Sequence, residues 1–261
     1  MTKSNSRGTL VAGNWKMFKN LAEARQLATD ILAGLPRQES TRPTVGFFPN
    51  AVALAAVAEA ANGRESQVLV GAQNLYHEPE GAFTGEISAD MILSAGARGV
   101  VLGHSERRHI FGETSEQVGR KVARALEAGL IPVLCVGETL EEREDGRTEN
   151  VVEEQLLGGL ADLSPEAASR VVIAYEPVWA IGTGKTATPE QGQAVQQFLR
   201  TRLGDHLGSA ELADGIQILY GGSVKPANAK DLIAQPDIDG FLVGGASLDA
   251  DSFLKICAAT A

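Results

Sequence analysis

Apolar residues along the chain gather in short continuous runs and do not alternate with polar ones. Eight such runs recur, at Thr9 to Ala12, Thr44 to Phe48, Val68 to Ala72, Gly99 to Leu102, Ile131 to Val136, Val171 to Tyr175, Ile216 to Tyr220 and Gly240 to Val243. A short run without polar alternation predicts a strand buried on both faces. Nearly every gap between the runs holds apolar residues at helical spacing. Val118, Val122, Ala125 and Leu126 make one such face, opened by the capping box Thr114 to Gln117, and Val152, Leu156 and Leu160 make another. Strands that alternate with helices imply a parallel sheet. Eight runs with no linker between them suit an α/β barrel closed by eight parallel strands, with an open doubly wound sheet as the alternative.

Composition sharpens this picture. A chain of 261 residues with 44% hydrophobic content can bury a large core, and one domain spanning residues 1–261 is expected. The formal charge of −10 opposes nucleic-acid or anionic-membrane binding as a main role, so any anionic ligand must be held by local groups. Cys135 and Cys257 lack metal-ligand spacing and read as reduced core thiols. The segment Met1 to Leu10 has no apolar stretch of signal-peptide length, and no later stretch approaches a membrane span, so a soluble cytoplasmic protein is expected. The acidic stretch Glu141 to Glu149 reads as a solvated helix face.

In a barrel the polar residues that follow each strand carry the chemistry. The segment Ala174 to Gln191 places Glu176 directly after an apolar run. It then holds Gly182 and Gly184 in a loop closed by the capping box of Thr188, Pro189 and Gln191, before a helix with the stripe Val195, Phe198, Leu199 and Leu203. The loop is about a dozen residues where roughly 2 to 6 is usual, so Glu176 reads either as a base beneath a lid or as a solvated glutamate on a plain connection. After the first run come Asn14 and Lys16, which alternation sends to the same side; Lys16 is a fixed cation for an anionic substrate or a snorkelling surface lysine. After the fourth run His104 opens a helical turn whose dipole disfavours imidazolium, followed by Ser105, with Glu106 and Arg107 read as an ion pair bracing the turn. Gly221, Gly222 and Ser223 follow the seventh run and Gly244 and Gly245 the eighth; paired glycines at helix starts make a phosphate cradle or two tight turns.

Taken together, Gly13-Asn14-Trp15-Lys16, Gly103-His104-Ser105-Glu106, Ala174 to Gly184, Tyr220-Gly221-Gly222-Ser223 and Val243-Gly244-Gly245 resemble the motifs of the triosephosphate isomerase family across nearly the whole chain. The resemblance implies a TIM barrel that interconverts dihydroxyacetone phosphate and glyceraldehyde 3-phosphate through an enediolate, in glycolysis and gluconeogenesis. It implies Glu176 as base, His104 as electrophile, Lys16 and Asn14 as stabilisers of charge, and Gly182, Ser223, Gly244 and Gly245 as holders of the phosphate, with no metal or organic cofactor. Ser105 and Glu106 take support roles. Gly81 to Glu86 looks like the family's interface loop, which implies a homodimer with Thr84 reaching toward Asn14 and Lys16 of the other subunit. Gly192, inside a helix, departs from good helix chemistry without an evident reason. Two rival readings are a phosphate-binding aldolase using Lys16 as Schiff-base nucleophile, and a catalytically silent barrel that only binds metabolites.

Overall fold

A computed structural model describes residues 7–36, 44–182 and 185–260. Eight strands appear in chain order: β1 Leu10–Asn14, β2 Val45–Phe48, β3 Val68–Ala72, β4 Gly99–Leu102, β5 Ile131–Val136, β6 Val172–Tyr175, β7 Ile218–Tyr220 and β8 Gly240–Val243. Each pairs in parallel with its sequence neighbours, and β8 pairs with β1, so the sheet closes into a barrel. Helices fill the gaps, as the alternation of patterns predicts. The open-sheet alternative is thereby excluded. The expected strands differ only at their ends: β1 runs on through Asn14, and β7 begins two residues later than its apolar run.

Two apolar layers hold the barrel. Leu10, Ala12, Phe48, Leu69, Val101, Val133, Cys135, Val172, Ala174, Leu219 and Leu242 pack inside it. The intervening strand residues, such as Val11, Phe47, Val100, Leu134 and Ile173, pack outward against the helices. This two-residue parity decides where the functional groups emerge. Leu10 and Ala12 point inward, so Asn14 does too, and Val172 and Ala174 carry Glu176 to the barrel mouth in the same way.

The predicted capping boxes form. Thr114 accepts from the Gln117 amide at 3.2 Å and Thr188 from the Gln191 amide at 3.2 Å, which starts the helices Ser115–Glu127 and Pro189–Leu207. Val195, Leu199 and Leu203 are buried in the latter, and Phe198 is half-buried. Gly192 in this helix is now explained by space. A Cβ there would lie 3.2 Å from the Tyr220 ring, so glycine lets the helix seat directly on β7. The acidic stretch forms two helices, Leu140–Glu144 and Thr148–Leu160, because Gly146 turns the chain between them at φ +70°. The face is largely solvated, yet Glu142 caps its own helix through Thr139. Cys135 is buried, Cys257 is partly so, and both are free; burial pushes both thiols up, Cys257 to about 12.

Candidate active site

Asn14, Lys16, His104, Glu176, Gly182, Ser223, Gly244 and Gly245 converge on one cleft of about 320 Å³ at the carboxyl end of the strands. Residues from β1, β4, β6, β7 and β8 thus meet in a single place. Gly184 lies outside the described residues.

The route by which Lys16 gets there differs from simple alternation. Its φ is 49°, a left-handed conformation uncommon for a residue with a side chain. The Asn14 side chain accepts from the Lys16 amide at 3.0 Å and closes the turn. Gln73, just past β3, donates to the carbonyls of Lys16 and Phe48 at 2.9 and 2.8 Å. Three strand ends therefore hold the strained residue in place. The Lys16 ammonium donates to Glu106 at 2.6 Å. That corrects the expected pairing of Glu106 with Arg107. Adjacent helical residues face different directions, so Glu106 turns to Lys16 while Arg107 turns to Glu113 at 3.2 Å.

His104 caps the helix Ser105–Phe111, its Nδ1 accepting from the Glu106 amide at 3.2 Å. Nδ1 then needs its lone pair, so in the neutral ring it is Nε2 that carries the proton. Nε2 lies 2.9 Å from Glu176 Oε1, and the Ser105 amide donates to Glu176 Oε2 at 2.9 Å. Burial raises the Glu176 carboxyl, but His104, the Ser105 amide and Lys16 together outweigh it and hold the group below its ordinary 4.5. Burial likewise lowers His104, and the facing Glu176 charge reverses the sign and leaves the imidazole raised. Once Glu176 moves from the ring toward a substrate carbon, burial and the Lys16 charge remain to favour neutral imidazole against the smaller opposing charge of Glu106.

Close approach explains the glycines around this carboxylate. A Cβ on Gly137 would lie 1.7 Å from the Glu176 carbonyl oxygen, and one on Gly221 would lie 2.9 Å from Glu176 Cγ. Gly221 therefore clears space for the base, whereas Gly244 and Gly245 line the cleft and leave their backbone approachable. Gly245 opens a single 3₁₀ turn, Gly245–Leu248, and not a long helix.

The chain leaving Glu176 is firmly anchored. A 3₁₀ turn, Val178–Ala180, carries Trp179, whose indole donates to the buried Glu138 at 2.9 Å. Tyr175 Oη donates to the same carboxylate at 3.1 and 3.0 Å, and Arg143 pairs with it at 3.0 Å. Gln73, Gly137 and Glu138 are functional residues that the sequence pattern did not single out, although Gln73 and Gly137 directly follow β3 and β5 and Glu138 comes one residue later, the same signal that marks the others. Thr84 does not line the cleft of its own chain; it sits exposed on a loop whose base is closed by the Tyr76 amide on the Ile87 carbonyl at 2.8 Å.

Residues 9–260 match the family model described as triosephosphate isomerase. The chain is 52% identical over 250 residues to the triosephosphate isomerase of Roseiflexus sp. (strain RS-1), covering 96% of each protein. It is 52% identical over 256 residues to that of Symbiobacterium thermophilum, covering 98% of each. With the enzyme of Flavobacterium johnsoniae it shares 47% identity over 253 residues, which is 97% of this chain and 99% of the relative. A closed parallel barrel, a carboxylate facing a histidine at its mouth and matches of this extent agree: the chain belongs to the triosephosphate isomerase family and carries that family's isomerase activity.

Proposed function

We propose that Glu176 moves the proton between the two carbons of the triose phosphate, with His104 and Lys16 polarising the oxygens and Asn14 assisting. The observation that carries this reading is the 2.9 Å approach of Glu176 to His104 Nε2 within a cleft whose other walls are Lys16 and the Ser223 and Gly244–Gly245 turns. A base and a neutral donor side by side suit proton transfer next to a carbonyl. A glutamate base beside a neutral histidine is already the known pairing of triosephosphate isomerase, so the roles themselves are not new chemistry. Ser105 and Glu106 keep their support roles, parking Glu176 and orienting Lys16. The Lys16–Glu106 pair also disfavours the aldolase reading, since a paired ammonium lacks the free lone pair that Schiff-base formation needs.

The phosphate fits the Gly182, Ser223, Gly244 and Gly245 end of the cleft. Gly182 stands beyond the Trp179 anchor, so its amide meets a phosphate when the loop closes; binding energy from the unreactive end then assembles the site. Closure also excludes water, in which an enediolate phosphate can expel its phosphate.

The test is coupled conversion of glyceraldehyde 3-phosphate by the purified protein, with exchange of substrate protons into solvent. Isomerisation with exchange is expected; a borohydride-trapped adduct on Lys16 would establish the aldolase instead. Replacing Lys16 by methionine keeps the stem and deletes the cation. A hydrogen bond to a charged group contributes about 1.5–3 kcal/mol, so kcat/KM is expected to fall roughly 10- to 100-fold. Unchanged kinetics would remove the electrostatic role.

A homodimer is proposed from the resemblance, and exposed apolar groups support it. Met17, Phe18, Val52, Phe83, Ile110 and Phe111 stand exposed in the segments that follow four consecutive strands, β1 to β4, Val52 on a 3₁₀ turn and Ile110 and Phe111 at the end of the helix Ser105–Phe111. Burial of such a face against a second copy would bring Thr84 to the partner cleft. Sedimentation at micromolar concentration is expected to show twice the chain mass, and a monomer would end this proposal. One domain over the whole chain and a cytoplasmic location, consistent with two free cysteines, belong to the same proposal.

A further inference from the structure

The cleft must attract a charge that the rest of the molecule repels. The substrate carries a phosphate dianion and the chain a net −10, so approach is opposed over most of the surface. At the cleft, Lys16 is offset by Glu106 at 2.6 Å, and Glu176 adds a further negative charge. These groups alone leave the entrance one charge negative. Lys225 lines the same cleft, is exposed, and has no ion-pair partner among the described residues. It brings the local balance to neutral.

The loop fixes where this cation stands. The Lys225 amide donates to Asn228 Oδ1 at 2.8 Å, and Asn228 Nδ2 donates to the Ser223 carbonyl at 3.0 Å. The Asn228 and Ala229 amides both donate to the Lys225 carbonyl at 3.1 Å. Val224, between Ser223 and Lys225, is buried. The backbone of Lys225 is thus clamped to the turn that carries Ser223, while its side chain stays free at the cleft. An exposed ammonium without a partner keeps its field for an arriving anion, and its flexible stem can follow the phosphate inward.

We propose that Lys225 is a substrate-capture cation: it draws the phosphate end of the triose phosphate to the Ser223 side of the cleft before the loop closes. The proposal rests on the reading of this cleft as the substrate site. A dianion beside one freed charge interacts appreciably at low salt and is screened within about 8 Å at physiological ionic strength, so the signature is a salt dependence.

The experiment measures kcat and kcat/KM for glyceraldehyde 3-phosphate, with inorganic phosphate as competing inhibitor, between about 0.01 and 1 M ionic strength. Lys225→Gln is expected to lower kcat/KM about 3- to 10-fold at the lowest salt and weaken phosphate inhibition comparably, with Lys225→Glu lower still. All should converge with wild type at the highest salt, and Lys225→Arg should keep the wild-type slope. Parallel salt dependences for wild type and Lys225→Gln would overturn the proposal, as would a loss equal at every salt or a loss shared by Lys225→Arg, since either marks a disturbed Ser223 turn. Failure of the site reading is separate: it would show as an unaffected Glu176→Gln enzyme.

Discussion

Replacing Glu176 by glutamine is expected to lower kcat at least about a hundredfold, because positioned acid-base groups contribute roughly 10²- to 10⁴-fold. The change removes the base and, with it, the acceptor that Glu176 Oε1 offers His104 Nε2 at 2.9 Å. The amide oxygen can still accept from the Ser105 amide, now at 2.9 Å from Glu176, and the space cleared by Gly221 and Gly137 is unaltered. KM should move much less, since Ser223, Gly244 and Gly245 at the phosphate end of the cleft follow other strands. The wild-type pH profile supplies a second reading of the same group. Glu176 is held below 4.5, so it stays ionised well below neutrality. The acid limb of kcat/KM should therefore follow His104, which against burial the facing Glu176 charge raises above 6.5 in the free enzyme, together with the substrate phosphate, whose second ionisation lies at about 6. Coupled assays and solvent exchange of substrate protons check both statements. A glutamine variant that turns over within a few-fold of wild type would show that another group takes the proton.

The barrel was legible because its strands are buried on both faces and so read as unbroken apolar runs; Val171 to Tyr175 and Gly240 to Val243 needed no tertiary knowledge. Glu176 and Asn14 were legible for the same reason. They continue the inward parity of Ala174 and Ala12, Asn14 at the last position of β1 and Glu176 just past β6. Lys16 reached its place by a different path, a left-handed turn closed by Asn14 and braced by Gln73, and no local pattern announces a brace from a neighbouring strand. Glu138 is hidden in the same sense. Its partners Arg143, Tyr175 and Trp179 come from separate segments, so its burial makes sense only after β5 and β6 pair. Gly192 reads as a defect in one dimension and as a contact surface for Tyr220 in three.

The far end of the barrel makes the second large prediction: Arg200→Met should cost about 3–5 kcal/mol of stability, the range for removing one partner of a buried ion pair. Arg200 pairs with Asp237 at 2.6 Å and with Asp239 at 2.7 Å, and donates to the carbonyls of Ala213 and Ile216 at 2.9 Å each. Asp239 is fully buried and also receives Arg7 at 2.7 Å and the Ile218 amide at 3.0 Å. One guanidinium therefore ties the start of β7 to the start of β8 and the end of the helix before them. Methionine fills similar volume but leaves Asp237 and Asp239 short of positive charge and two carbonyls short of a donor. All of this lies at the strand amino ends, opposite the cleft, where barrels keep stability apart from chemistry. Urea titration should show the midpoint fall with little change in slope, while kcat of the folded fraction stays close to wild type. A loss under about 1 kcal/mol would mean that Arg7 alone compensates Asp239, and pairing Arg200→Met with Asp237→Asn should recover part of the deficit by removing one of the stranded charges.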